Sequence, residues 1–216
     1  MATKARTPAR RLTARGAATR ARIVDAAASL VYERGFAGTS LDDVMAATGT
    51  SKSQLYHYFA DKDALTYEVV KAQLGRIIAA QQAAHLHEVS SWEGLQRWCD
   101  HFVTATRATQ GAGGCPLGSL VGELADQSEP ARRVLAECFA DWQSYLSGGF
   151  QAMRERGELA AQADPAELAL TVLTALQGGL LMAQATRSAR PLELALNMAL
   201  QHMAAYRQRP QQAKRR

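Results

Sequence analysis

Residues 35–65 read GFAGTSLDDVMAATGTSKSQLYHYFADKDAL, and glycines and small hydroxyl residues divide this stretch into short segments. Thr39-Ser40 offers an N-cap for a helix that Gly49 would end, and acidic residues follow the cap, where the helix dipole favours them. Ser51 then offers an N-cap for the next helix. A helix, a glycine turn, a serine cap and a second helix within about twenty residues is the spacing of a helix-turn-helix.

A further helix is predicted immediately before this stretch. Apolar residues recur there at i, i+4, i+7 and i+8, the pattern of one helix face, at Ile23, Ala27, Leu30 and Val31. Gly35 follows Arg34 and suits a helix C-terminus. Helical periodicity continues through the rest of the chain, with no convincing run of alternating strand pattern. The sequence therefore predicts an all-α fold, with a three-helix N-terminal module and a larger helical remainder.

The helix that follows Ser51 concentrates aromatic residues and one histidine in four consecutive positions, 56–59. Leu55 and Phe59 form an i, i+4 apolar pair that is predicted to face the core. Their neighbours must then project outward, with Tyr58 near the boundary, and no carboxylate occurs among them before Asp61. A surface of hydroxyls, an amide, a lysine and aromatic edges suits phosphates and base edges.

The positive charge of the chain lies in its two ends. The 216 residues contain 25 Lys and Arg against 20 Asp and Glu. Residues 1–22 hold seven of these bases and residues 207–216 hold five, with no acid in either segment, so the remainder is acidic. A basic end of this kind is either a solvated disordered tail or an arm that lies along a polyanion, and the composition is consistent with both.

Cysteine usage and hydropathy indicate a reduced, cytoplasmic compartment. Cys99, Cys115 and Cys138 are too few and too widely spaced for a disulfide framework or a zinc site. The Arg-rich start leads into no apolar segment of a secretory signal, although a mitochondrial-type presequence has a similar composition. Residues 168–186 carry no charge, but polar residues interrupt them, so a helix buried between protein elements is favoured over a membrane span. We therefore expect no membrane partner.

Residues 19–65 resemble the N-terminal domain of the TetR/AcrR family of transcriptional regulators. The matching pieces are the Gly-aromatic turn, the Thr-Ser cap, a V-x-x-A-x-G turn followed by Ser-Lys, the Leu-Tyr-x-(Tyr/His)-Phe sequence and the lysine that opens the next helix. The resemblance implies a helix-turn-helix DNA-binding domain followed by a larger helical ligand-binding and dimerisation domain. It also implies that the third helix enters the major groove of a palindromic or pseudo-palindromic double-stranded DNA operator, one copy per subunit of a homodimer.

Carried over by position, the resemblance assigns DNA contacts. Gln54 and Lys52 are the expected base readers, and Tyr56, His57 and Lys62 are expected to bind mostly the backbone. Thr39 and Ser40 lie where the N-terminus of the second helix meets a phosphate. The complete set of expected contacts is Thr39, Ser40, Thr50, Ser51, Lys52, Ser53, Gln54, Tyr56, His57, Tyr58 and Lys62.

The same motifs and predicted helices indicate the domain boundaries. We expect a basic, disordered arm at 1–18, the helix-turn-helix domain at 19–64, the effector-binding and dimerisation domain at 65–207 and a basic tail at 208–216. A fourth helix, capped by Asp61, is predicted to run to about His87. The last two helices, roughly 165–187 and 191–207, are apolar on more than one face, which predicts a four-helix homodimer interface across a two-fold axis.

A pocket for a small-molecule effector is implied in the larger domain. Residues that combine apolar area with a few polar groups are its candidate lining, and each of them could equally be plain core: Trp98, Phe102, Cys115, Trp142, Tyr145, Met153, Gln177 and Met182. Cys115 follows two glycines and precedes Pro116 near a helix start, where a thiolate would be stabilised. Some relatives with a cysteine in a similar context respond to electrophiles or oxidants.

The favoured function is a ligand-responsive DNA-binding regulator, most consistent with a repressor released by a small molecule or by thiol modification. An enzyme using the Cys115 thiol is the alternative, but no local motif supports it, and we expect no catalytic residues. A structural helical adaptor would leave the polar face of residues 50–58 unexplained. The histidines show no metal spacing and the glycine-rich residues 111–120 lack the context of a phosphate loop, so neither a metal nor another cofactor is expected.

Overall fold

The computed structural model describes residues 12–83 and 88–208, and within these ranges the chain forms nine α-helices joined by short turns. The predicted all-α fold is confirmed. The helices are α1 (Ala14–Arg34), α2 (Leu41–Thr48), α3 (Lys52–Tyr58), α4 (Lys62–Ala83), α5 (Trp92–Ala108), α6 (Pro116–Leu124), α7 (Glu129–Glu155), α8 (Pro165–Thr186) and α9 (Arg190–Ala204).

The chain divides into two compact units, and the division falls between Val69 and Val70, inside α4. This is shortly after the boundary expected between residues 64 and 65. The expected N-terminal arm is too long, because α1 begins at Ala14, where the Thr13 hydroxyl caps it by accepting a hydrogen bond from the N–H of Gly16. Residues 1–11, the end of the fourth helix expected near His87 and residues 209–216 lie outside the described residues.

The first unit packs α1, α2, α3 and the start of α4 around one apolar core. The predicted inward pair of α3 is confirmed, since Leu55 and Phe59 are 2% and 1% exposed. The buried side chains that surround this pair come from all the other helices of the unit: Ile23, Ala27, Ala28, Val31, Val44, Leu65 and Val69. This packing fixes which side of α3 can face solvent.

In the second unit, α8 lies against both α7 and α9. Trp98, Trp142, Leu146, Phe150 and Met153 are among its largest buried side chains. Among the described helices, α8 alone is long and apolar enough to cross a membrane by length and composition, and 44% of its most apolar window is buried inside the protein. The packing on two sides matches the interpretation of its uncharged sequence as a protein-buried helix.

The last helix is shorter than predicted. The sequence places its end near residue 207, whereas α9 ends at Ala204. The backbone then pairs with the α7–α8 loop: the N–H of Ala160 donates to the Tyr206 carbonyl at 2.8 Å, and the N–H of Gln208 donates to the Glu158 carbonyl at 2.9 Å. These hydrogen bonds compete with further helical turns, so the chain leaves α9 early.

Candidate nucleic-acid interface and ligand pocket

Two reciprocal capping boxes begin α2 and α3. Ser40 Oγ accepts from the N–H of Asp43 at 3.1 Å, and the Asp43 carboxylate accepts from the N–H of Ser40 at 2.9 Å. Ser51 Oγ accepts from the N–H of Gln54 at 3.2 Å, and Gln54 Oε1 accepts from the N–H of Ser51 at 2.9 Å. Each pair satisfies two N–H groups that a helix start leaves unpaired. The predicted caps Ser40 and Ser51 are therefore confirmed.

A buried polar cluster fixes the turn between α2 and α3. Gly49 adopts a left-handed conformation with φ of 63°, which a residue with a Cβ adopts only at a cost. The guanidinium of Arg22 on α1 donates to the carbonyl of Thr48, and the hydroxyls of Thr48 and Thr50 are 2.6 Å apart. The predicted role of Thr50 is thus corrected: its side chain is 7% exposed and holds the turn, so it cannot reach DNA without leaving that hydrogen bond.

The solvent-facing side of α3 is polar, as predicted. We call it the α3 strip, and it consists of the exposed residues Lys52, Ser53, Gln54, Tyr56 and His57. Tyr58 is half-buried, and its ring packs edge-on to that of His57 with 5.0 Å between centroids. The strip joins one cation, one hydroxyl, one amide and two rings on a single side of a capped helix, a set that can contact both phosphates and base edges.

The start of α2 and the start of α4 lie side by side. Lys62 Nζ is 4.6 Å from the centroid of the Phe36 ring, within cation–π range. The Thr39 hydroxyl donates to the Gly35 carbonyl at 2.9 Å, and the Ser40 hydroxyl oxygen is 2.5 Å from the Asp43 carboxylate. Both predicted hydroxyl contacts are therefore occupied within the protein, and the unpaired backbone N–H groups of the first turn of α2 remain for an anion.

Arg20 was not among the predicted site residues, yet it ties α1 to the rest of the first unit. Its guanidinium forms an ion pair with Glu68 at 2.8 Å and lies 5.2 Å from the Phe59 ring centroid. By sequence, Arg20 and Arg22 belong to the basic N-terminal segment of residues 1–22. Their position within α1 was the signal that could have separated them from it: Arg20 pairs with Glu68 of α4, and Arg22 donates to the Thr48 carbonyl at the end of α2.

A pocket of about 440 Å³ opens in the second unit between α6, α7 and α8. Of the predicted lining residues, it includes Cys115 and Gln177. Phe139, which the sequence analysis did not propose, supplies an aromatic wall. The remaining lining residues are Gly118, Ser119, Val121, Gly122, Gly178, Leu181 and Gln184.

The other predicted pocket residues lie elsewhere. Trp98, Trp142 and Met153 are at most 1% exposed and belong to the core. Phe102 is half-buried and packs edge-on to Trp98 with 4.7 Å between ring centroids. None of these four residues lines the pocket: three belong to the packed interior and Phe102 lies at its margin. The prediction failed because large apolar side chains of a core and of a pocket have the same sequence pattern.

Two further predicted lining residues also lie outside this pocket. Tyr145 is half-buried, and burial raises the pKa of its phenol. Met182 is 53% exposed on the outward side of α8. The prediction for Met182 is wrong because α8 is apolar on several faces, so hydrophobicity does not reveal which of its residues point inward.

Cys115 is the N-cap of α6, and its Sγ accepts a hydrogen bond from the N–H of Gly118 at 3.3 Å. Burial raises the pKa of the thiol, and the Gly118 N–H, the Gln177 amide and the Leu117 N–H oppose the shift only in part. The expected stabilisation of a thiolate at the helix start is therefore outweighed by desolvation. Cys115 is a neutral thiol on the wall of the pocket.

Gly114 and Gly118 give the pocket room for two amides of α8. A Cβ on Gly118 would lie 2.8 Å from Gln177 Oε1, and a Cβ on Gly114, whose φ is 57°, would lie 2.5 Å from Gln184 Oε1. The glycine-rich segment 111–120 thus packs closely against α8. Among the described residues, no group of three or more His, Cys, Asp or Glu side chains could hold a metal ion.

This two-unit helical architecture matches a known protein family. The family model for bacterial regulatory proteins of the tetR family matches residues 23–69, which include α2, α3 and most of α1. The model for the tetracyclin repressor-like C-terminal domain matches residues 92–199. The chain belongs to the TetR family. The expectation drawn from residues 19–65 is confirmed, and the TetR assignment extends through most of the second unit.

Relatives of known sequence agree with the TetR assignment. An uncharacterized HTH-type transcriptional regulator of Lactococcus lactis is 30% identical over 185 residues, which cover 81% of this chain and 88% of that protein. The HTH-type transcriptional repressor NemR of Escherichia coli K12 is 24% identical over 187 residues, covering 82% and 90%. The chain is accordingly a helix-turn-helix transcriptional regulator.

Solved structures of the TetR family share the fold. A TetR-family regulator from Cytophaga hutchinsonii superposes with a TM-score of 0.76 at 20% identity, over 92% of this chain and all of that one. The reduced form of E. coli NemR superposes with a TM-score of 0.68 at 26% identity, over 84% and 95% of the two chains. TetR-family regulators bind DNA operators as dimers and respond to small-molecule effectors.

Proposed function

We propose that this TetR-family regulator is a repressor that binds a palindromic or pseudo-palindromic operator as a homodimer and is released by a small molecule or by thiol modification. The observation that carries the proposal is the α3 strip, a polar and aromatic surface on a helix whose other side is locked into the core. The similarity to NemR, which is named a repressor, supports repression over activation.

The α3 strip supports direct readout of the major groove. Gln54 uses Oε1 for the cap of α3, which leaves its NH₂ group for a base edge. Lys52 lies in the same first turn and is exposed, so it supplies a cation close to that amide. Tyr56, His57 and Lys62 supply further donors toward the DNA backbone. The basic N-terminal arm is a candidate for added phosphate contacts.

The exposed apolar surface of α8 and α9 supports dimerisation through these helices. The large side chains of this surface are 52–68% exposed in the isolated chain: Leu170, Leu181, Met182, Leu194 and Met198. A surface of this kind is rarely left in water by a monomer, and a two-fold axis would bury it against its own copy. This arrangement would present two α3 strips to the two halves of an operator.

The pocket beside Cys115 supports control by a small molecule. Its volume of about 440 Å³ lies in the range of ligand sites, and its walls combine apolar side chains with two amides, a hydroxyl and a thiol. Modification of Cys115 would place a new group inside this pocket. Because burial raises the pKa of the thiol, little of the reactive thiolate is present at neutral pH, so a thiol reagent would react slowly here.

The surroundings of Cys115 support a regulator without enzymatic activity over an enzyme that uses this thiol. The hydrogen-bond partners of Cys115 Sγ are backbone N–H groups and the Gln177 amide, none of which can act as a general base.

We further propose that the protein acts in the cytoplasm, where its DNA partner lies, and without a membrane partner.

Binding to DNA from upstream of the protein's own gene tests the proposal. The logarithm of the binding constant should fall linearly with the logarithm of salt concentration, because phosphate contacts release counterions. Gln54→Ala should change sequence preference by about 1–3 kcal/mol at one position, and Lys52→Ala should weaken binding. Arg97→Ala in the second unit removes the same charge and should bind as the wild type does. A protein that binds no duplex at low ionic strength would refute the function.

A further inference from the structure

The aromatic ring of Phe36 and the ammonium group of Lys62 meet at the surface of the first unit. Phe36 lies in the turn between α1 and α2, and Lys62 is the first residue of α4. Lys62 Nζ is 4.6 Å from the ring centroid, and both residues line a small recess together with Thr39 and Ser40 at the start of α2. The ring therefore holds the ammonium beside the N-terminus of another helix.

Two carboxylates at the starts of α2 and α4, those of Asp43 and Asp61, are committed to helix caps. The Asp43 carboxylate accepts from the N–H of Ser40 at 2.9 Å and lies 3.7 Å from the Arg34 guanidinium. The Asp61 carboxylate accepts from the N–H of Ala64 at 2.7 Å at the start of α4. Within the part of the chain that the structure describes, Lys62 makes no ion pair. Its charge is stabilised by a ring, which leaves it able to bind an anion.

A lysine held by a ring binds an anion at a smaller entropic cost than a free one. An exposed lysine samples many rotamers and loses them when it grips a phosphate. The ring limits this sampling before the anion arrives, so less freedom is lost on binding. The recess that Phe36 and Lys62 line also includes Ser40 and Leu41 at the start of α2, where the positive end of the helix dipole favours an anion.

We propose that Phe36 is a positioning residue for DNA binding, which holds the Lys62 ammonium next to the first turn of α2 so that both bind the phosphate backbone. Phe36 itself need not touch DNA. The inference rests on the proposed DNA-binding function, to which it adds a residue that acts through another. It predicts that the effect of the ring on affinity exists only while Lys62 is present.

A double-mutant cycle tests this dependence on a duplex that the wild-type protein selects from a random-sequence library. Lys62→Ala should reduce the slope of log K against log salt by about 1, the loss of one phosphate contact. Phe36→Leu keeps an apolar side chain in the recess but removes the ring, and should weaken binding by about 2–5-fold, the usual strength of an exposed cation–π contact. In the Lys62→Ala background, Phe36→Leu should have no further effect.

Two variants act as controls for the ring. Phe36→Tyr keeps an aromatic face and should bind within about 1.5-fold of the wild type, since the phenol ring also attracts cations. Tyr32→Leu removes an aromatic side chain from α1 that is 55% exposed, and should not alter affinity or salt dependence. Thermal unfolding of each variant shows whether the first unit is intact, and Phe36→Met replaces Phe36→Leu if leucine prevents folding.

An NMR measurement without DNA distinguishes the role of Phe36 from the DNA-binding function itself. The Lys62 side-chain methylene protons should show upfield ring-current shifts in NMR spectra of the full chain, and Phe36→Leu should abolish them. Absent shifts, or losses of affinity that add in the double variant, would overturn the role of Phe36 while DNA binding stands. A wild-type protein that selects no duplex would overturn the DNA-binding function itself.

Discussion

The indole N–H of Trp98 on α5 donates a 2.7 Å hydrogen bond to Oε1 of Gln81 on α4. Both side chains are buried, at 0% and 3% exposure, and Gln81 Nε2 donates to the Ile77 carbonyl at 3.3 Å. The polar groups of Gln81 therefore have partners inside an otherwise apolar region. The bond joins the far end of α4 to α5, within the second unit, and explains how a glutamine can be buried there.

Replacement of Trp98 by phenylalanine should lower the free energy of unfolding by about 1–3 kcal/mol beyond the loss of packed volume, because Oε1 of Gln81 stays buried without a donor. Urea unfolding at neutral pH measures this change. Trp142→Phe is the matched control, since Trp142 is 1% exposed and its indole N–H has no hydrogen-bond partner among the described residues. Equal losses in the two variants would show that the Trp98 hydrogen bond contributes nothing.

Thr50→Val should destabilise the first unit by about 0.5–1.5 kcal/mol, because it removes the buried contact between the hydroxyls of Thr48 and Thr50. The turn before α3 should loosen as well, and DNA affinity should fall. Ser53→Ala, on the exposed α3 strip, should leave stability within about 0.5 kcal/mol of the wild type. Chemical unfolding followed by circular dichroism distinguishes the two. A fully stable Thr50→Val protein would contradict the structural role of the turn.

Glutamate at both Leu194 and Met198 should convert the protein to a monomer at micromolar concentration. These side chains are 53% and 67% exposed, and two buried like charges per subunit would oppose association across a two-fold axis. Light scattering gives the mass directly. Tyr32→Glu changes a similarly exposed side chain on α1 and should leave the mass unchanged. A wild-type protein that scatters as a monomer would remove the basis for the α8–α9 interface.

Stability should fall as pH rises above the ordinary thiol pKa. Burial raises the pKa of Cys99 from 9.0 to about 12 and that of Cys138 from 9.0 to about 11. Above about pH 9 the unfolded chain releases these protons while the folded chain retains them, so unfolding becomes more favourable. Urea midpoints between pH 8 and about pH 10 measure the effect. Cys99→Ala should weaken this pH dependence; an unchanged slope would argue against the burial of an intact thiol.

Local sequence signals were sufficient for the α3 strip. The caps at Ser40 and Ser51 and the spacing of Leu55 and Phe59 act within one helical turn, so the side of α3 that faces solvent follows from neighbouring residues alone. Thr50 shows the limit of such signals. Its burial depends on Thr48 and on Arg22 from a distant part of α1, a tertiary arrangement that no local pattern specifies.

The pocket was harder to predict for a related reason. In α8, apolar residues occur on every face, so Leu181 and Met182 carry no sequence signal that distinguishes a wall of the pocket from an outward surface. Cys115 was identified by its position before Pro116, but the balance between helix start and burial depends on how closely α8 covers it. The sequence also did not predict the end of α9 at Ala204, because that end depends on contacts between distant segments.

The pairing of residues 206–208 with the α7–α8 loop has a practical consequence for anyone who wishes to tag this protein. A purification handle or fluorescent fusion that replaces the residues after Ala204 would remove the Tyr206 carbonyl and leave the Ala160 N–H without its acceptor. Fusions should therefore start beyond Gln208, so that the backbone hydrogen bonds between residues 206–208 and the α7–α8 loop are kept.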